Sequence, residues 1–372
     1  MVPTWRLAGA LVLSATLEWY GATSEVSWLF LLASWVFALL LVCAVYALWN
    51  RRGLRLFLAA RGARSSEGSP AAELPDLVLR TGPHPAPLFE GDALELEVGL
   101  DTTGASRGPA WIGGDVAGKR LDAGTGVVPR KGWRVERSLD GLRRGPIGAT
   151  GWTIVTSDPL GLFVGRKRSS EVEVALALPR FVSLAGRVQT REVESSMASP
   201  RAGSGTEIFG VREYHSGDSL RRIHWRSSAR RGELVVREYE PPGVQTVAIY
   251  VDPFPRTREV ADQVARIAAS EAWDCLREGG RVALWAPGLE AGQSRDLWNA
   301  LEWLARYPGV VGDDPAPPGN EAVIVTGAAD QGLIEALEGA RRRGSRVRAW
   351  VVGDADLDID APVEHVGTEW PL

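Results

Sequence analysis

Between Arg212 and Arg231 the chain places six arginines against two acids, Glu213 and Asp218, a local balance of +4. Guanidinium groups present planar donor forks, so such a cluster can grip a row of carboxylates or a phosphate, and Trp225 among them can stack on an arginine or anchor the segment. Ser216-Gly217-Asp218 reads as a turn, with Asp218 or Ser219 as the N-cap of a short helix over Leu220–Ala229 that gathers Arg221, Arg222 and Arg226. A structural reading competes: Arg212/Glu213, Asp218/Arg222 and Arg237/Glu238 can pair and dock the segment between domains. A hydrolytic reading would use Asp218 with His215 and His224 as an acid–base set, although no Gly-x-Ser-x-Gly elbow, P-loop or HExxH accompanies them. Polyanion binding is opposed by Glu207, Glu233, Glu238 and Glu240, which reduce the balance over 203–240 to about +1, so no nucleic-acid partner is expected.

The rest of the composition narrows the chemistry further. The 372 residues carry a formal charge of −4, 45% hydrophobic residues and 24% charged ones, which describes a globular chain of two or three domains. Cys43 and Cys275 exclude a disulfide framework and a cysteine zinc cage, and four histidines make no metal cluster. Cys275 lies in an expected helix beside Trp273 and Leu276, where a buried structural thiol fits better than a nucleophile. The acids Asp354, Asp356, Asp358 and Asp360 read as a solvated tail, since they lack the glycine and terminal Glu of a calcium loop.

From Trp28 to Trp49 all 22 side chains are apolar or small, more than the roughly 20 a helix needs to cross the hydrocarbon. Trp28, Tyr46 and Trp49 suit the interfacial levels, and Arg51, Arg52, Arg55, Arg61 and Arg64 should stay cytoplasmic. A shorter run, Trp5–Tyr20, carries Glu18 and reads as a second span with Arg6 on the inner side. Residues 1–52 are therefore expected as a transmembrane hairpin, multi-pass in the cell membrane with the C-terminal domains cytoplasmic. A cleaved signal peptide fits worse, because Tyr20, Gly21 and Ala22 make a poor cleavage site.

Residues 53–75, rich in Ala, Ser, Gly and Pro toward their end, read as a linker. In Ala93–Leu100 the residues Leu94, Leu96, Val98 and Leu100 alternate with Glu95, Glu97 and Gly99, and Val127–Leu139, Gly151–Thr156 and Glu171–Leu178 look similar. Residues 76–180 are thus expected as an antiparallel β-sandwich. From Thr246 the rhythm changes to strand–helix alternation: a strand through Val251, helix Thr257–Glu278, strand Arg281–Trp285, helix Ser294–Arg306, strand Ala322–Thr326, helix Gln331–Arg343 and strand Arg346–Val352. That order implies a parallel sheet covered by helices over 241–372, with 181–240 as a separate segment.

At this segment the sequence resembles the domain of unknown function 58 family, whose pattern is an aromatic, then R-E-Y, G-D, R-x-I-x-W and S-A-R before a strand. Here these are Phe209, Arg212-Glu213-Tyr214, Gly217-Asp218, Arg221 or Arg222 with Ile223 and Trp225, and Ser228-Ala229-Arg230. Upstream, Asp158-Pro-Leu-Gly-Leu-Phe163 is similar to the family's D-P-F-G-L-F, while His224 stands where the family usually has Asp. The resemblance implies an α+β multidomain chain: the membrane hairpin, the sandwich and a von Willebrand factor A-like α/β domain. It also implies a MoxR-type AAA+ ATPase as protein partner, hence a membrane-anchored adaptor or scaffold in the assembly or maturation of other proteins and not an enzyme. Metal-binding A-type domains use D-x-S-x-S at the end of the first strand; here Asp252-Pro-Phe-Pro255 lacks both hydroxyls, and Thr326 and Asp330 could approach Asp252 from a neighbouring loop. No cofactor is expected, magnesium included.

Overall fold

The computed structural model describes residues 2–74, 87–184, 208–213, 224–225, 228–229, 233–239, 245–309, 311–355, 357 and 359–371. The chain is mixed α and β and divides into two compact units, Met1–Ala177 and Leu178–Leu372.

The first unit opens with strand β1 (Val2–Pro3) and two helices, α1 (Trp5–Ser24) and α2 (Ser27–Arg52). Among the described residues, α2 is the helix long and apolar enough to cross a bilayer. The expected second span does form a helix, but α1 falls short of α2 in apolarity. The two helices pack through Ser14, Gly21, Leu29 and Ala33, all buried. A Cβ at Gly21 would come within 3.2 Å of Leu29 Cβ, so the small residue sets the approach.

Residues 53–64, expected as linker, form strand β2 (Leu54–Arg64), which pairs antiparallel with β4 (Ala93–Thr102). The alternation of Leu54, Leu56, Leu58 and Ala60 puts them against the core, and Phe57 and Ala59 between them blur it in the sequence. Arg64 and Arg61 pair with Glu95 and Glu136, so they decorate a sheet instead of flanking a span. The Ser-rich turn beyond is tied down by buried Asp92, which accepts from Ser66 N and Oγ at 2.9 and 3.0 Å and from Ser69 Oγ at 3.0 Å. A short helix α3 (Pro70–Glu73) follows.

The remaining strands of this unit are β3 (Leu88–Phe89), β5 (Ala110–Val116), β6 (Lys119–Thr125), β7 (Trp133–Leu139), β8 (Gly145–Ser157), β9 (Phe163–Arg168) and β10 (Val172–Leu178). One sheet has the order β2-β4-β7; the other is built around β8, which pairs with β5, β9 and β10, while β1 pairs with β9. The two sheets share one apolar core in which Leu94, Leu96, Val98 and Leu100 of β4 meet Ile112, Ile147, Trp152 and Ile154. Burying each such side chain contributes about 1.5–3 kcal/mol.

In the second unit β11 (Ile208–Glu213) and β12 (Val235–Tyr239) form an antiparallel ribbon. The other sheet runs β15-β14-β13-β16-β17-β18, built from β13 (Thr246–Val251), β14 (Arg281–Trp285), β15 (Gly292–Ser294), β16 (Glu321–Thr326), β17 (Arg346–Val352) and β18 (Val363–Val366). All neighbours are parallel except the edge strand β15. Helices α4 (Arg258–Arg277), α5 (Leu297–Arg306) and α6 (Gln331–Arg342) are N-capped by Thr257, Asp296 and Asp330. The acidic residues read as a tail instead lead into β18, with Asp360 paired to Arg341 and Leu357 buried; Asp356 and Asp358 lie outside the described residues.

Candidate functional site

The parallel strands end at Asp252, one residue past β13, at the carboxyl edge where open α/β sheets bind ligands. Its carboxylate is buried and fully engaged. Oδ1 accepts from Phe254 N at 2.8 Å, and Oδ2 accepts from Gly327 N at 3.1 Å and from Thr326 Oγ1 at 3.3 Å. Tyr307 Oη donates to the Asp252 carbonyl. Thr326 thus approaches Asp252 as expected, whereas Asp330 accepts from Leu333 N at 3.0 Å and caps α6. Among the described residues no three His, Cys, Asp or Glu side chains converge as a metal site. The turn that Asp252 holds displays Phe254, 79% exposed.

The residues of the arginine-rich segment are placed unevenly. Arg212 and Glu213 end β11 opposite Val236 and Val235. Trp225 is 66% exposed, so it does not anchor the segment in a core. Ser228 is buried and structural: its Oγ donates to His224 O at 3.1 Å and accepts from Val235 N at 2.9 Å, while His224 N donates to Val235 O at 2.7 Å. The serine of the S-A-R element therefore ties its turn to β12. Tyr214, His215, Gly217, Asp218, Arg221, Arg222 and Arg230 lie outside the described residues. Cys275 is buried in α4, its Sγ donating to Arg281 O at 3.2 Å.

Residues 210–294 match the family model described as "Protein of unknown function DUF58". That match supports the resemblance to the domain of unknown function 58 family over those residues. The chain is also 30% identical over 166 residues to the uncharacterized protein YeaD of Bacillus subtilis (strain 168), a stretch covering 40% of this chain and 40% of that protein. The matched family region runs from the β11 ribbon through β13, Asp252 and α4 to β15, and so includes the carboxyl-edge turn.

Two polar clusters were not legible in the sequence. In the second unit Arg348 of β17 donates to both oxygens of Glu271 on α4, and its Nε donates to Glu321 of β16 at 2.5 Å. Trp350 Nε1 donates to Glu271 at 2.8 Å. Burial acts to lower the Arg348 guanidinium, but Glu271 and Glu321 outweigh it and hold it above its usual value. The signal was Glu271 sitting four residues from both Ile267 and Cys275, on the buried face of α4.

In the first unit the D-P-L-G-L-F turn docks the helices to the sheet. Buried Asp158 accepts from Leu160 N at 2.9 Å and Phe163 N at 2.6 Å, while Leu162 packs with Leu40 and Cys43 of α2. Asn50, fully buried at the end of α2, accepts from Gly108 N at 3.1 Å and donates to Ser157 O at 3.1 Å. Trp49 lies under Arg107, 3.8 Å from ring centre to guanidinium carbon, and a Cβ on Gly53 would collide with that guanidinium.

Proposed function

We propose that the chain is a membrane-anchored, cytoplasm-facing adaptor or scaffold that works by contact and not by catalysis. α1 and α2 form an inserted hairpin, the two-sheet unit is a β-sandwich at the membrane, and the second unit is a von Willebrand factor A-like domain. That last assignment is supported by the strand order, with its single antiparallel edge strand. The state of Asp252 carries the functional reading. Both its oxygens accept hydrogen bonds from this chain, which supports a reading in which the edge where an A-type domain would hold a cation works without one, with Phe254 exposed beside it. Such an edge with a projecting aromatic suits a protein partner. The resemblance to the family points to a MoxR-type AAA+ ATPase as that partner, with Trp225 and the arginine-rich segment as a second contact.

Full-length protein recovered from gently solubilised membranes should bring down such an ATPase, and Phe254→Ala together with Trp225→Ala should abolish its recovery while the thermal melt stays unchanged. Equal recovery from the double variant refutes the reading.

A further inference from the structure

We infer that the turn Asp158–Phe163 is a lipid-contacting element, seated beside the helices within the inner half of the hydrocarbon. The inference rests on the reading of α2 as a span. At the level where Leu162 packs on Leu40 and Cys43, the opposite face of α2 displays Leu41, Val42 and Val45, at 61, 61 and 59% exposure. Lipid that covers those side chains reaches the level of the turn. Counting gives the same answer: about 20 residues from Trp28 traverse about 30 Å and place the inner margin near Leu48, so Leu40–Cys43 lie about 8–12 Å inside it.

Irregular backbone at that depth requires its polar groups to be satisfied internally, and most of the turn's polar groups are engaged within the chain. Leu160 N and Phe163 N donate to the Asp158 carboxylate, and Gly161 N donates to Asp158 O at 3.0 Å. Thr4 Oγ1 donates to Gly161 O and Leu162 O at 2.8 and 3.0 Å, and Thr4 N to Leu162 O at 3.0 Å. Arg6 Nη1 donates to Leu160 O at 3.3 Å. Gly161 takes φ +69°, and a Cβ there would come within 3.1 Å of Arg6 Nη1. With these groups engaged, the turn shows the membrane Leu160, 46% exposed, beside the projecting Trp5, while the Arg6 guanidinium is positioned to meet a lipid phosphate.

The full chain carrying Leu160→Cys or Phe37→Cys is labelled with an environment-sensitive fluorophore and reconstituted in phosphatidylcholine–phosphatidylglycerol vesicles. Both native cysteines are buried and both replaced side chains are exposed, so the label goes to the introduced thiol and folding is undisturbed. The Phe37 probe, which reports the span, should lose emission to lipids spin-labelled at mid-chain. The Leu160 probe should lose about half its emission to lipids spin-labelled on the upper acyl chain and little to aqueous iodide. A Leu160 probe quenched by iodide and not by lipid, with Phe37 still lipid-quenched, overturns the inference and leaves the span intact. A Phe37 probe insensitive to lipid removes the span reading and the inference with it.

Discussion

Replacing Arg348 with Met tests the buried charge cluster most directly. The side chains of Arg348, Glu271 and Glu321 are only 14, 2 and 11% exposed, so solvent cannot take over when the cation is removed. Two carboxylates are then left in the interior, Glu271 with Trp350 Nε1 and Glu321 with Gln245 Nε2. Removing one partner of a buried pair costs about 3–5 kcal/mol. At about 2–4 °C per kcal/mol for a unit of this size, the melting temperature of the second unit should fall on the order of 10 °C. The assay is the thermal unfolding of the detergent-solubilised full chain, followed by tryptophan emission, with Trp350 buried beside the cluster. Glu271→Gln alone should also destabilise, and the double variant should lose clearly less than the two single losses together, because the second change removes a charge that the first left unpaired. Additive losses, or an Arg348→Met melt within about 2 °C of the parent, would refute the claim that these three groups act as one interior unit.

Two further outcomes follow from the second unit. Millimolar magnesium or a chelator should leave its melt unmoved, while Asp252→Asn should cost about 1–3 kcal/mol, because an amide offers one acceptor oxygen where the carboxylate serves three donors. A magnesium-dependent rise in melting temperature that vanishes in Asp252→Asn would show a cation site instead. Burial raises the Tyr250 phenol, with Arg343 opposing, and its Oη donates to Pro317 O at 2.9 Å. A raised folded value means the native state keeps a proton that the unfolded chain loses, so stability should decline as pH climbs above about 10. Tyr250→Phe should flatten that decline in alkaline melts, and an unchanged slope would contradict it.

Local periodicity made much of the fold legible. Leu94 to Leu100 alternate and fill a sheet core, and strands Arg281–Trp285 and Arg346–Val352 stand at the expected residues, because apolar runs bounded by turn residues have few other solutions. The two-residue period of β2 is blurred by Phe57 and Ala59 on its outward phase, and that of β5 and β6 is diluted by Gly113, Gly114 and Gly124. In the candidate site, Asp252 and its neighbour Thr326 were legible from strand-end positions. Ser228 was legible only as a motif residue, not as the clasp on Val235.

The sequence by itself determined that one helix is apolar enough for a bilayer, that a sheet-rich unit precedes an alternating one, and that the central segment resembles the domain of unknown function 58 family. Those are properties of composition and short-range period. Only the tertiary structure decided that Asp158 is spent on its own turn, that Asp330 caps a helix instead of approaching Asp252, and that Glu271 shares Arg348 with Glu321. The last joins residues 77 and 27 positions apart along the chain, and whether any carboxylate is free, capped or paired depends on what the fold brings within about 3 Å of it.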